Sequence, residues 1–289
     1  LVKNGLQLKR TLVFCAWDGE EPALLGSTEW TEDHQQELRE KAVAYINTDG
    51  NGRGFINAGG SHIYEPFFNE IMDQVIDPET GVSIKERKYA QSVVNAEKSG
   101  RGKLLGNKNM KLSALGAGSD WGGFLQHLGI SSFNMGYGGE SEGDQYHSTY
   151  DSYDFFTRFI DPGFKYGVTL SKTSGRTLLR LANADVLPVD FKSFYNTIND
   201  YSIEIKTQLE KTRTETEEET RMRKDKLYEL ARDPGKTYAA PPAKEAVPYL
   251  NWSSLENVLA KLKTASDEFQ QLYSKATGLS GEKQATLNK

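Results

Sequence analysis

Apolar and polar residues alternate along the first part of the chain in blocks that predict strands and helices in turn. Residues 10–18 (RTLVFCAWD) form a short apolar run with β-branched and aromatic side chains, which is typical of a strand buried on both faces of a parallel sheet. Residues 27–43 have helical spacing, and residues 42–50 (AVAYINTDG) predict a second strand that ends in an Asp-Gly turn. We therefore expect the order strand, helix, strand at the start of the chain.

The alternation continues through the following hundred or so positions. Residues 62–76 predict an amphipathic helix, residues 117–129 (AGSDWGGFLQHLG) another, and residues 130–139 (ISSFNMGYGG) a strand that runs into a glycine-rich loop. This pattern predicts an α/β fold with a mostly parallel central sheet flanked by helices. In such sheets, ligands bind at the carboxyl ends of the strands.

From about Phe191 the pattern becomes helical and rich in charge. Residues 203–230 mix both signs of charge at helical spacing, which predicts a solvated helix face. Residues 233–249 form a proline-rich connector, and residues 253–277 predict a last amphipathic helix with Ser253 or Ser254 as its N-cap. We therefore divide the chain into residues 1–187, an α/β domain, and residues 188–289, a helical domain.

Composition narrows the function classes. The 289 residues are 37% hydrophobic with a net charge of -5, which describes a globular protein and argues against a nucleic-acid or anionic-membrane binder. No run of 18 apolar residues predicts a membrane segment. Cys15 is the only cysteine, so we exclude a disulfide framework and expect it to be a small buried residue. An upstream export signal would place the protein in the periplasm or outside the cell, but this chain does not reveal its compartment.

Residues with metal-binding side chains follow the predicted strands. Glu20 and Glu21 come after the first strand, Asp49 ends the second, and His147 follows the glycine-rich loop. Carboxylate oxygen and imidazole nitrogen are ligands of catalytic zinc. Two adjacent carboxylates can divide the chemistry, since one can bind metal while the other takes a proton from an activated water.

Each of these residues also has an ordinary alternative. The Glu20–Glu21 pair could place negative charge at a helix N-terminus, and Asp49 before Gly50 could be a common turn aspartate. His147 alone could be a satisfied polar residue. Asp120 could begin a helix, or it could hydrogen-bond to a residue that binds the metal. No single position decides between these interpretations.

Four segments together carry a family resemblance. In order, FCAWDGEEPALLGSTEW (residues 14–30), VAYINTDG (43–50), GAGSDWGGFLQHLGI (116–130) and YHSTYDSYDFFTRFIDP (146–162) resemble the di-zinc peptidase family that includes glutamate carboxypeptidase II and related aminopeptidases. The helical C-terminal part resembles the transferrin-receptor-like dimerisation domain of the carboxypeptidase branch. The resemblance implies two zinc ions in the complete enzyme, a peptide substrate and a homodimer formed through the C-terminal domain.

The resemblance also implies roles for individual residues. Glu20 matches the general base, and Glu21 matches the neighbouring zinc ligand. Asp49 matches a carboxylate ligand of the other zinc. His147 matches the histidine that shares a metal with Glu21, and Tyr146 matches a tyrosine that helps to stabilise the tetrahedral oxyanion.

The chain departs from the family in its metal ligands. The family has a His-x-Asp segment upstream of the Glu-Glu pair, which supplies a histidine ligand and a bridging aspartate, and this chain has none. The other histidines, His34, His62 and His127, lack that spacing. The chain is therefore either a fragment or a degenerate relative, and the retention of four site residues favours a fragment of an active enzyme.

The specificity residues differ as well. The stretch SSFNMGYGG (residues 131–139) has no arginine where glutamate carboxypeptidase II has an arginine cluster, and prolines occupy the region of its Lys-Tyr pair. A buried substrate carboxylate would lose its best partner without a bidentate cation. We therefore expect a pocket for neutral or apolar residues, lined by Phe133, Met135 and Tyr137.

These observations predict a zinc-dependent exopeptidase of the carboxypeptidase or dipeptidase type. An aminopeptidase of the same family is the nearest alternative. A catalytically inactive receptor or scaffold is the alternative from another class, and a third view makes the helical tail the functional part.

Overall fold

The computed structural model describes residue 5, residues 7–141 and residues 145–275. It divides into two compact units. The first runs to Ser193 and takes in the chain again from Leu272 onward, and the second is Phe194–Gln271. The assignment of residues 1–187 and 188–289 to a catalytic and a dimerisation domain stays a prediction.

The first unit contains several helices and strands besides those that the sequence predicted. Its helices before the tail are α1 (Leu25–Asp33), α2 (Gln35–Lys41), α3 (Glu65–Gln74), α4 (Ile84–Asn95), α5 (Lys98–Leu105), α6 (Tyr153–Phe155) and α7 (Lys165–Asn183). Its strands are β1 (Tyr45–Asn47), β2 (Gly54–Gly60) and β3 (Ser132–Gly139). A 3-10 turn (His62–Tyr64) and two π-helical turns (Gly123–His127 and Phe156–Ile160) complete the set.

The described sheet has three strands in the order β1-β3-β2. β1 runs parallel to β3, and β2 runs antiparallel to it over the full length Gly54–Gly60. The α/β class with flanking helices is confirmed, whereas the mostly parallel sheet is not, since the described strands form a mixed sheet. β2 was not predicted because its sequence, GFINAGG, contains three glycines, which strands disfavour.

The core lies between the sheet and helices α3 and α7. Phe133 of β3 is fully buried, and its ring lies 5.4 Å from that of Tyr64 and 5.8 Å from that of Phe68. Tyr166 of α7 is also fully buried, beside Tyr137 of β3. These large side chains fix β3 against the helices, so the loops at its carboxyl end have a rigid base.

The first predicted strand is wrong. Residues 11–17 have no regular structure, Val13 and Phe14 are 68% and 82% exposed, and Cys15 is exposed as well. A buried strand needs a neighbour that pairs with its amides, and in the described sheet β1 pairs only with β3. The apolar pattern of residues 10–18 reports only on those residues themselves. It could not show that no neighbouring strand pairs with them in the described sheet.

The tail is helical, as predicted. α8 (Phe191–Lys224) begins where the charge-rich pattern begins, and α9 (Leu227–Ala231) and α10 (Ser253–Ser274) follow. Residues 237–252 between them have no regular structure, which confirms the connector. Lys206 of α8 pairs with Glu256 of α10 at 2.6 Å. A role of this tail in dimerisation stays a prediction.

No helix in the described part of the chain is both long and apolar enough to cross a membrane.

Candidate active site

The Glu20–Glu21 pair lies in a turn that leads into α1. Leu24 N–H donates to Glu20 O at 2.7 Å, and both Ala23 (φ 100°) and Leu24 (φ 57°) have positive φ. A positive φ costs an L-residue about 1–2 kcal/mol, so the surroundings must hold this turn in place. The first turn of α1 contains no acidic residue and its N-cap makes no side-chain hydrogen bond. The pair therefore does not act as a charged cap for this helix.

The structure brings Glu21 and His147 together across 126 positions of sequence. His147 Nε2 lies 3.0 Å from each oxygen of the Glu21 carboxylate. His147 has φ 57°, and the ring of Tyr146 stacks on its imidazole at 3.8 Å. The two side chains are 53% and 69% exposed, and such surface pairs contribute at most about 1 kcal/mol to stability. Stability of the fold therefore does not explain why this pair is held together.

Asp49 follows β1 and is held by a chain of side-chain hydrogen bonds. Ser119 Oγ donates to Asp49 Oδ2, and Asn47 Nδ2 lies 3.2 Å from both Ser119 Oγ and Asn134 Oδ1. Tyr45 Oη donates to Asn47 Oδ1 at 2.9 Å. Ser119 was not predicted as a site residue, although it lies in the family motif GAGSDWGGFLQHLGI (residues 116–130). The chain of bonds fixes one oxygen of Asp49 and leaves this exposed carboxylate beside the strand end.

The pKa of Glu20 responds to the charges of the other candidate site residues. Desolvation raises the pKa of Glu20 above its usual value, and the negative charges of Glu21, Asp120 and Asp49 raise it further. His147 lowers it. Asp120 is 6% exposed, and its Oδ1 has no hydrogen-bond partner among the described residues. All the predicted charged residues therefore act on one carboxylate, and a cation would relieve the repulsion between them.

The described residues supply part of a metal site. No group of three or more His, Cys, Asp or Glu side chains in the described part of the chain is arranged to hold a metal ion. The Glu21–His147 pair offers one carboxylate and one imidazole in contact, which is the donor chemistry of catalytic zinc. The buried, unpaired oxygen of Asp120 adds negative charge close by. The residues present therefore fit zinc as a partial ligand set.

The residues expected to line an apolar specificity pocket are buried, although Met135 and Tyr137 also line a cleft of about 900 Å³ beside Asp49. Phe133, Met135 and Tyr137 are 0%, 1% and 4% exposed and belong to the hydrophobic core. Tyr137 Oη lies 2.8 Å from Thr173 Oγ1, so its polar end is also occupied. Side chains of β3 alternate between a buried face and a partly exposed face. The sequence pattern alone did not show which of them faces the core.

A largely buried arginine anchors the end of β3. Arg87 of α4 lies 2.7 Å from both oxygens of Glu140, the residue that follows β3, and 2.7 Å from Asp77 Oδ2. It also contacts the hydroxyl of Tyr166. Burial alone would raise the pKa of Asp77, but hydrogen bonds from Arg87 and the 79–80 turn outweigh it, so this pKa lies below its usual value. Glu140 begins the segment that leads to His147, so the network fixes one end of that segment.

Comparison with known proteins identifies relatives of the chain. Residues 1–158 match the model of peptidase family M28. The probable glutamate carboxypeptidase VP8 of Zea mays is 35% identical over 204 residues, which are 70% of this chain and 26% of that protein. Aminopeptidase NAALADL1 of Mus musculus is 30% identical over 225 residues, or 73% and 29% of the two chains.

A third relative is named as an inactive protein. The inactive N-acetylated-alpha-linked acidic dipeptidase-like protein 2 of Homo sapiens is 27% identical over 191 residues, which are 65% of this chain and 21% of that protein. In all three comparisons the chain spans less than a third of the relative's length.

Proposed function

Because this chain belongs to peptidase family M28, we propose that it is part of a zinc-dependent exopeptidase of the carboxypeptidase or dipeptidase type. The contact between Glu21 and His147, with Glu20 next to it in the chain, carries this proposal. Peptidases of the family are generally zinc-dependent, and relatives named as carboxypeptidase and aminopeptidase make the hydrolysis of peptides the expected chemistry.

In the proposed reaction, Glu21 and His147 would hold one zinc ion, and Asp49 would be a ligand of the other. When bound, zinc supplies a Lewis acid that activates water and stabilises negative charge. Glu20 accepts the proton of the attacking water and passes it to the leaving nitrogen, and its raised pKa suits a group that must both take and give a proton.

Two further residues position the reacting groups. Tyr146 is 74% exposed and its ring stacks on His147, so its hydroxyl can donate a hydrogen bond to the oxyanion of the substrate. Ser119 holds Asp49 in one orientation through its hydroxyl. The substrate is a peptide, and the helical tail, by its resemblance, supports a homodimer.

The test is hydrolysis of blocked dipeptides by the whole protein as its source organism makes it. We expect cleavage of N-acetylated dipeptides with a free carboxyl end, whereas cleavage only of peptides with a free amino end would make the enzyme an aminopeptidase. Glu20→Gln should lower kcat by about 10²–10⁴-fold, because it removes the general base, and should leave zinc content unchanged. Glu29→Gln, a change at an exposed position on α1, is the matched control.

An inactive scaffold is the second candidate. The lack of a His-x-Asp segment in this chain and the relative named as inactive favour it. Whole protein that binds no zinc and cleaves neither class of dipeptide would replace the peptidase proposal with this one.

A further inference from the structure

A series of side-chain hydrogen bonds leads away from Asp49 into the first unit. Ser119 Oγ donates to Asp49 Oδ2, and Asn47 Nδ2 donates to Ser119 Oγ at 3.2 Å. Tyr45 Oη donates to Asn47 Oδ1 at 2.9 Å, and Trp17 Nε1 donates to Tyr45 Oη at 3.1 Å. We call these five side chains the Asp49 network.

The two ends of the Asp49 network fix the direction of the hydrogen bonds between them. The indole N–H of Trp17 can only donate, so the hydroxyl of Tyr45 accepts from it and directs its own proton to Asn47. At the other end, the ionised carboxylate of Asp49 can only accept, so the hydroxyl proton of Ser119 points to it. Asn47 therefore presents its carbonyl oxygen to Tyr45 and its NH₂ group to Ser119.

A further contact holds the amide of Asn47 in this orientation. Asn47 is 4% exposed, and its Nδ2 also donates to Asn134 Oδ1 at 3.2 Å. A flipped amide would place the side-chain oxygens of Asn47 and Asn134 against each other. Because buried polar groups without partners are costly, the observed orientation is strongly favoured.

Packing and protonation make Tyr45 a fixed donor. Its ring stacks on that of Phe124, with the centroids 4.0 Å apart and the planes at 4°. Burial raises the pKa of Tyr45 to about 12. The hydroxyl therefore keeps, at neutral pH, the proton that it donates to Asn47.

The Asp49 network gives the two oxygens of an exposed carboxylate different partners. Oδ2 of Asp49 accepts from Ser119, whereas Oδ1 forms no hydrogen bond with a described residue. A serine hydroxyl can turn its proton towards several acceptors, and the hydrogen bond that Ser119 accepts from Asn47 restricts this choice. Hydrogen bonds to a metal ligand orient it for the metal.

Resting on the proposed function, we propose that Asn47 and Tyr45 are positioning residues that raise the affinity of the Asp49 zinc site, and that they act on Asp49 through Ser119. Neither is a proposed ligand of zinc. Trp17, which sets the direction of the hydrogen bonds, lies three positions before Glu20 in the sequence. The Asp49 network thus connects the segment of the general base with the proposed ligand of the second zinc ion.

The experiment is zinc binding by the whole protein, measured by elemental analysis after equilibration with a competing chelator at graded concentrations. Tyr45→Phe removes only the hydroxyl, and Asn47→Leu removes the amide at similar volume. Losing a residue that supports a metal ligand lowers metal affinity about 10–100-fold. At one of the two zinc sites, we therefore expect about tenfold weaker binding in Asn47→Leu and about threefold in Tyr45→Phe, which lies one hydrogen bond further from Asp49.

A double-mutant cycle separates positioning from a general structural effect. With Ser119→Ala in place the network no longer reaches Asp49, so adding Tyr45→Phe should cause no further loss of zinc affinity, whereas independent structural effects would add. Tyr228→Phe is the matched control, since it removes a hydroxyl that donates to Glu219 at 2.6 Å in the second unit, and it should leave zinc affinity unchanged. Urea unfolding of the zinc-free proteins checks that each variant is folded, and Tyr45→Phe keeps the test decisive if Asn47→Leu does not fold.

Three results would overturn the proposal: unchanged zinc affinity in Tyr45→Phe, an equal loss in Tyr228→Phe, or an additive loss when Tyr45→Phe is combined with Ser119→Ala. Each of these results leaves the proposed function in place, because the unchanged protein would still bind zinc and cleave peptides. Whole protein that binds no zinc would remove the proposed function and this proposal together.

Discussion

Replacing Arg87 by Met tests the network that anchors the end of β3. The change keeps much of the apolar stem but removes the guanidinium, which is 10% exposed and contacts Asp77 and Glu140 at 2.7 Å. Asp77 is 1% exposed, so its carboxylate would remain buried without its cation. Breaking a buried ion pair costs about 3–5 kcal/mol.

The lower end of that range applies here. Asp77 Oδ1 keeps its hydrogen bonds from Glu79 N–H, Thr80 N–H and the Thr80 hydroxyl, and the Glu140 side chain is 29% exposed and can reach water. We therefore expect Arg87→Met to lower the free energy of unfolding by about 3 kcal/mol.

The assay is urea unfolding followed by tryptophan fluorescence, to which the first unit contributes Trp17, Trp30 and Trp121. With a denaturant slope of about 3 kcal/mol/M, the midpoint should fall by about 1 M. The control is Arg158→Met, which removes an arginine paired with Asp154 at 3.0 Å but 66% exposed, and should cost less than about 1 kcal/mol. Equal losses in the two variants would refute the reasoning that burial gives the Arg87 network its strength.

Two further predictions concern pH and packing. Because the pKa of Asp77 is lowered from 3.8, its contribution to stability is present above about pH 4 and is lost as the pH falls through the folded pKa. In urea unfolding between pH 2 and 5, the free energy of unfolding should therefore fall less steeply with decreasing pH for Arg87→Met than for the unchanged chain. Equal slopes would contradict this. A Cβ at Gly136 would collide with Gly50 O, next to Asp49, so Gly136→Ala should lower the free energy of unfolding in urea by about 1–3 kcal/mol. Gly175→Ala, in α7 with open space around it, should raise it by up to about 1 kcal/mol. A Gly136→Ala variant as stable as the unchanged chain would contradict the predicted collision.

The apolar and polar pattern of the sequence predicted those helices and strands whose stability depends on their own residues. β3 and α10 carry continuous apolar or amphipathic periodicity, so their position and type followed from the sequence. β2 was missed because its stability comes from pairing with β3 along seven residues and not from strand propensity. Residues 10–18 were assigned as a strand on propensity alone, and without a pairing neighbour in the described sheet they form none.

The candidate site shows the same division. The contact of Glu21 with His147 joins residues 126 positions apart, so only the order of the family motifs could suggest it. The link from Asn47 through Ser119 to Asp49, and the ion pairs of Arg87, connect separate elements and have no sequence signature.

The central claim is that Glu21 and His147 hold a catalytic metal, and its most direct test is zinc content, by elemental analysis, of the whole protein and its His147→Ala variant. We expect about two zinc ions per chain, as in two-metal peptidase sites, and the loss of about one of them in His147→Ala. His127→Ala, which changes an exposed histidine, should retain both. Whole protein without zinc, or a His147→Ala variant with unchanged zinc content, would contradict the claim.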